Sequence, residues 1–218
     1  MAQTPVNALR LFGVAAHDSS LHNSLAEGTS LVPFRSLAAV VATCRYSRVV
    51  LDEKEMHEYR RVLEEVQGTT AVLPAPPGTI FRSRDNLLRW LELHYFTLTQ
   101  TMGAIEGHGQ ARLTITKTAG TDPSNATSVE AKESAKQLIA TASQSMRVLR
   151  GQAAATVSLP VDEEETSMIA QASFLVDLER WAGFADMVEK EDQRQTAIDF
   201  HLSGPWPPYD FVRMQFGG

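Results

Sequence analysis

The pattern that most constrains this chain begins at residue 111. Ala111, Leu113 and Ile115 alternate with Arg112, Thr114 and Thr116, and a period of two sets one group on each face of a half-buried strand. Thr127 and Glu130 have the spacing of a capping box. The helix they open carries Ala131, Ala135, Leu138, Ile139, Ala142, Met146 and Leu149 on one face. Ala155, Val157 and Leu159 alternate again, and Met168, Ala170, Ala172, Phe174 and Val176 share a strand face. Asp177 is placed to cap a second helix with Leu178, Trp181, Ala185 and Val188, and Ile198, Phe200 and Leu202 alternate in a last strand. Strand, helix, strand, strand, helix, strand predicts a ferredoxin-like split βαβ unit, with helices on one face of an antiparallel sheet.

The first half repeats much of that order. Ala8–Val14 and Leu37–Cys44 are apolar segments of strand character. Asp52 with Glu55 resembles a capping box, and Met56, Tyr59, Leu63 and Val66 follow at helical spacing. Thr70–Leu73 reads as a short strand, and Pro74–Gly78 is a segment that neither a helix nor a central strand accepts. His17–Ser30 is polar, so the first helix of the plan is expected to be reduced or lost. The longest helix is expected over Arg84–Ile105, with Leu87, Leu91, Tyr95, Leu98, Met102 and Ile105 in one stripe. Leu88, Trp90 and Phe96 widen its apolar surface, which predicts a helix buried on several sides, joining two layers or domains and packed against both. The expected class is α+β. Its domains are residues 1–82 (modified ferredoxin-like), 83–108 (connecting helix), 109–203 (ferredoxin-like βαββαβ) and 204–218 (Pro/aromatic tail).

Chemistry is sparse. His17, His22, His57, His94, His108 and His201 include no pair four residues apart, and a single cysteine excludes a cysteine-based zinc site. His94 is expected to pack beside the helix stripe, with His57 and His201 at the surface, and Cys44 to be an inert core thiol. The acidic run Glu163–Glu165 reads as solvated. No nucleophile elbow, P-loop or dinucleotide fingerprint occurs, so neither catalysis nor a cofactor is expected. A net charge of −6 without basic clusters argues against nucleic acid as the main partner. Phe174 and Phe200 face inward, and the outward set Ile169, Gln171, Ser173 and Leu175 lacks aromatics and positive charge, unlike an RNA-stacking sheet. Met1–Pro5 lacks the layout of a signal peptide, and no apolar run nears the roughly 20 residues of a membrane span. A cytoplasmic location without a membrane partner is expected.

The end of the chain stands out. Gly204-Pro205-Trp206-Pro207-Pro208-Tyr209-Asp210-Phe211-Val212 combines three prolines with three aromatics. The prolines predict a stiff segment that leaves the sheet. Its aromatics either seal a core edge or form part of a docking surface, and the two are compatible.

Leu202–Val212 resembles the C-terminal signature of the gas vesicle accessory proteins F and L. Ala172–Asp177 is similar to that family's strand leading into its last helix. Leu73-Pro74 with Gly78-Thr79-Ile80-Phe81 resembles a third segment, from which Ala75-Pro76-Pro77 departs. The resemblance implies a modified ferredoxin-like N-terminal domain, a long joining helix and an α+β C-terminal domain. It also implies a role at the gas vesicle: binding the small hydrophobic shell protein and other accessory proteins during assembly. A subunit with an apolar face does not stay dispersed alone. Trp90, Trp206, Tyr209 and Phe211 are the expected protein-binding residues, bordering an apolar groove. Oligomeric state is open. The competing expectations are a small-molecule-sensing regulatory module with paired ferredoxin-like domains, and an enzyme of the dimeric α+β barrel type.

Overall fold

The computed structural model describes residues 8–17, 21, 25–47, 49–118, 128–161 and 167–214, with the backbone alone for 128–132. The expected capping box at Thr127, the loop Gly120–Asn125, the acidic run Glu163–Glu165, His22 and Met1–Pro5 lie outside the described residues. The chain forms two compact units, one of residues 1–106 with 207–218 and one of 107–206. Both are mixed α+β with antiparallel sheets.

The first unit contains β1 (Ala8–Ala16), β2 (Thr29–Phe34), β3 (Leu37–Cys44), α1 (Glu53–Gln67), β4 (Val72–Pro74), β5 (Ile80–Phe81) and α2 (Arg84–Ile105). Its sheet runs β2-β3-β1-β4, with β5 also paired to β1. Between β1 and β2, Leu21 and Ala26 are buried in the core cluster that faces α1. That cluster joins Phe12, Val40 and Val72 to Tyr59, Val62, Leu63 and Val66 of α1. Each buried side chain of this size contributes about 1.5–3 kcal/mol. The opposite face is covered by α2, which meets Leu73 and Phe34. Burial on both faces explains why β1 and β3 read as nearly continuous apolar runs.

Gly13 allows the close approach of β1 to its neighbours. A Cβ there would lie 2.7 Å from the Leu73 carbonyl oxygen and 2.9 Å from Leu63 Cδ2, beside a bulge at Leu11/Gly13. Arg10 crosses from β1 to the first turn of α1. It is buried, sits 2.5 Å from Glu55 Oε2 and 3.4 Å from Glu58 Oε2, and covers the Phe12 ring. Asp52 caps α1 through its Oδ1, accepting from the Glu55 N–H at 2.8 Å. The reciprocal half of the expected box is not made, because the Glu55 carboxylate pairs with Arg10. Cys44 ends β3 half-buried, a correction to the core thiol expected there. Burial raises its pKa against the opposing pull of Arg10, which keeps the thiol protonated.

The second unit contains β6 (His108–Lys117), α3 (Ser128–Arg150), β7 (Ala155–Leu159), β8 (Met168–Asp177), a 3-10 turn (Leu178–Arg180), α4 (Trp181–Arg194) and β9 (Ile198–Trp206). The sheet order β7-β8-β6-β9 is the order of the first sheet, counting strands within each unit. Ala111, Leu113, Ile115, Ala172, Phe174 and Val176 face α3 and α4, meeting Ala142, Met146, Leu149, Phe184 and Val188. Asp177 Oδ1 accepts from the Glu179 N–H, so it caps the 3-10 turn that runs into α4.

Two expectations change here. The stretch Gly204–Trp206 does not leave the sheet. It completes β9, with Trp206 opposite Gln110 across an irregular register. Glycine makes this possible: Gly204 has φ of +125°, and a Cβ would lie 2.5 Å from the Gln110 carbonyl oxygen and 2.9 Å from the Trp181 ring. The face opposite the helices, expected from the β8 set to lack positive charge, also carries Arg112 of β6. Ser173 and Leu175 are buried there, and Ser173 pairs with Arg112. On β7, Ala155, Val157 and Leu159 share that opposite face, while Thr156 and Ser158 lie on the side of Phe174 and Ala172.

Candidate protein-docking surface

Helix α2 begins at Ser83, whose Oγ accepts from the Asn86 N–H at 3.2 Å, and runs for 22 residues. It buries Leu87, Trp90, Leu91, Leu98, Met102 and Ile105. Trp90, expected at a docking surface, is only 8% exposed. Its ring lies 5.6 Å from Phe81 and 5.1 Å from His94, so His94 packs as expected. The helix is not apolar into the core around its girth. Phe96, read as part of the buried surface, is 71% exposed, and Leu93, three residues earlier, is 78% exposed. Residues three apart are neighbours on a helix, so these two form an apolar pair on the outer face of α2. The cause is angular: both sit off the stripe that runs from Leu87 to Ile105.

Beside this face, Tyr95 closes the end of the β2–β3 hairpin. Its hydroxyl is 2.8 Å from Ser36 Oγ and its ring meets Phe34 edge-on at 5.9 Å. Arg35, at φ of +56°, lies over both rings. The hydrogen bond from Ser36 pulls the Tyr95 pKa down.

The C-terminal segment divides. Trp206 belongs to the second unit, on β9, where its Nε1 donates to Ser203 Oγ at 3.2 Å. Tyr209 and Phe211 belong to the first unit. Tyr209 packs on the α1-facing core with its ring 6.1 Å from Tyr59, so it seals a core edge. Tyr59 donates to the Ala75 carbonyl at 2.5 Å, whereas the buried Tyr209 hydroxyl has no hydrogen-bond partner among the described residues. Burial raises both phenol pKa values. The second contribution is Tyr209 for Tyr59 and Glu64 for Tyr209. Phe211 is half-buried in a turn closed by its N–H on the Pro208 carbonyl. Next to it, Val212, Arg213 and Met214 meet Leu73, Trp90, His94 and Thr97 around a cleft of about 270 Å³.

Among the described residues, no three His, Cys, Asp or Glu side chains gather as a metal site, and no helix is long and apolar enough to cross a membrane. The profile of the gas vesicle synthesis proteins GvpL/GvpF matches residues 9–147 and 125–213. The chain belongs to the GvpL/GvpF family. Gas vesicle protein F1 of Halobacterium salinarum is 24% identical over 200 residues, covering 88% of this chain and 84% of that protein. Gas vesicle protein F2 of the same organism is 26% identical over 199 residues, covering 85% and 81%. The crystal structure of GvpF from an Anabaena species superposes with a TM-score of 0.77 at 14% identity, covering 97% of this chain and 98% of that one. GvpF from Microcystis aeruginosa gives 0.72 at 15% identity, covering 95% and 100%. The fold is therefore that of the GvpF structures, and membership of GvpL/GvpF places the protein in gas vesicle assembly.

Proposed function

We propose that this protein acts in the cytoplasm as a non-catalytic, cofactor-free accessory factor that binds the hydrophobic shell protein and other accessory proteins during gas vesicle assembly. The observation that carries this reading is the family match across almost the whole chain. The two sheets, sharing one strand order, are read as a ferredoxin-like unit and a modified one. Leu93 and Phe96 support α2 as the docking face, because an exposed apolar pair on a rigid helix offers contact area at little entropic cost. Trp90 supports that face from beneath; Tyr209 and Phe211 on the first unit, and separately Trp206 on the second, are the further aromatics proposed to bind partners.

The test is replacement. A gas vesicle cluster lacking its own F-type protein is given this chain, and pressure-sensitive light scattering is read. Restored scattering by the wild type, lost in a folded Leu93→Glu/Phe96→Glu variant, supports the role and the face. Restoration by both moves the docking surface elsewhere, and no restoration by either counts against the role.

A further inference from the structure

The cleft of about 270 Å³ beside α2 lies within one unit, because residues 207–218 fold with residues 1–106. Tyr209 packs into the core that faces α1, and the chain then reaches the α2 side, where Val212, Arg213 and Met214 form one wall. Most of the lining is apolar: Leu73, Trp90, Leu98, Val212 and Met214. Leu73 is fully buried in β4, and the Trp90 ring is set against Phe81 and His94, so this surface is pre-formed. The polar part is uneven. Thr101 donates its hydroxyl to the Thr97 carbonyl at 2.9 Å, within the helix itself. Among the described lining residues Arg213 is the one permanent charge, and none is a carboxylate.

We propose that this cleft binds a small organic acid, with its carboxylate on the Arg213 guanidinium and a short apolar body against Leu73, Trp90 and Leu98. A lining with a fixed cation and no carboxylate selects an anion over a cation. One guanidinium answers one negative charge, and its parallel N–H donors fit a carboxylate edge; a phosphate dianion would call for further donors. The apolar walls select the rest of the ligand, since removing its body from water is the favourable term. The volume, near the low end of the range of about 300–1,000 Å³ typical of small-molecule sites, sets a small body. Leu93 and Phe96 lie outside this lining, so the site stands apart from the docking reading of α2. The same chemistry occurs in a free acid and at the C-terminus of a protein ending in an apolar residue.

Titration calorimetry and thermal melts of the full chain test this with four probes: phenylpropionate, phenylpropanol, phenylpropylamine and acetate. Phenylpropionate is expected to saturate a single site and raise the melting temperature. The alcohol keeps the body and loses the charge, and acetate does the reverse; each is expected to bind about tenfold more weakly or less, and the amine not at all. Arg213→Gln, at an exposed position, is expected to weaken phenylpropionate about tenfold and leave phenylpropanol unchanged. Thr97→Trp, also exposed, fills the cleft and is expected to abolish both, with unchanged circular dichroism. N-acetyl-alanyl-phenylalanine separates the two sources: tighter binding than phenylpropionate assigns the site to a protein C-terminus, and weaker binding to a free acid. No saturable binding of phenylpropionate or of this peptide, equal binding of the amine, or an Arg213→Gln variant that binds the acid like the wild type overturns the proposal.

Discussion

Gly204 lies in the segment that carries the family resemblance, and its replacement by alanine tests the account of that segment. Its φ of +125° is closed to residues with a side chain, and the new Cβ would meet the Gln110 carbonyl oxygen at 2.5 Å and the Trp181 ring at 2.9 Å. Strained backbone of this kind costs about 1–3 kcal/mol. Forcing a methyl against a backbone atom adds about 1–3 kcal/mol. The expected loss is therefore about 2–6 kcal/mol, because the blocking atom belongs to a paired strand and cannot swing aside. With a urea slope of about 2 kcal/mol/M, the unfolding midpoint falls by about 1–3 M. Tryptophan fluorescence reads the transition, since Trp181 and Trp206 both belong to the second unit. Gly183, in α4 with nothing within 4 Å of its Cβ position, is the control: alanine there is expected to stabilise by about 0.5–1 kcal/mol. A Gly204→Ala midpoint equal to the wild type would refute the argument from close approach.

Three further outcomes follow from buried polar groups. Arg10→Ala is expected to cost about 2–3 kcal/mol by equilibrium unfolding, at the low end for a broken ion pair because Glu55 and Glu58 keep some solvent. Tyr59→Phe removes a hydrogen bond to Ala75 and is expected to cost about 1 kcal/mol, whereas Tyr209→Phe removes a buried hydroxyl with no partner among the described residues and is expected to be neutral or stabilising. Both phenols titrate above their ordinary value of about 10 in the folded state. Folding therefore favours the protonated forms: their contribution is fully present below about pH 10 and is lost as pH rises beyond it. Thermal melts of the wild type are expected to fall across that range more steeply than those of the Tyr59→Phe/Tyr209→Phe variant, and parallel curves would contradict the assignment.

Local order in this chain was legible where the apolar period was clean. The strands around Leu113 and Phe174 and the helix of Tyr59 and Leu63 lie where their spacing places them. Pairing across distance was harder to read. The prolines near Trp206 suggested an exit from the sheet, but Gly204 fits the strand against Gln110 and the exit comes later. Nothing local announces that Tyr209 rejoins the first unit's core, because its contact with Tyr59 spans most of the chain. The docking face was half legible. A helix apolar beyond one stripe signals a second use for the excess, but the aromatic that looked most available, Trp90, is buried, while Leu93 and Phe96 face outward. Sequence spacing gives the angle of each side chain around α2, and not which angles the sheet covers.

The central claim is tested most directly by co-expressing the full chain with a gas vesicle shell protein and measuring co-purification and the soluble fraction of the shell protein. The account predicts that the two co-purify and that more shell protein stays soluble than without this chain. A folded chain that neither captures the shell protein nor alters its solubility would contradict it.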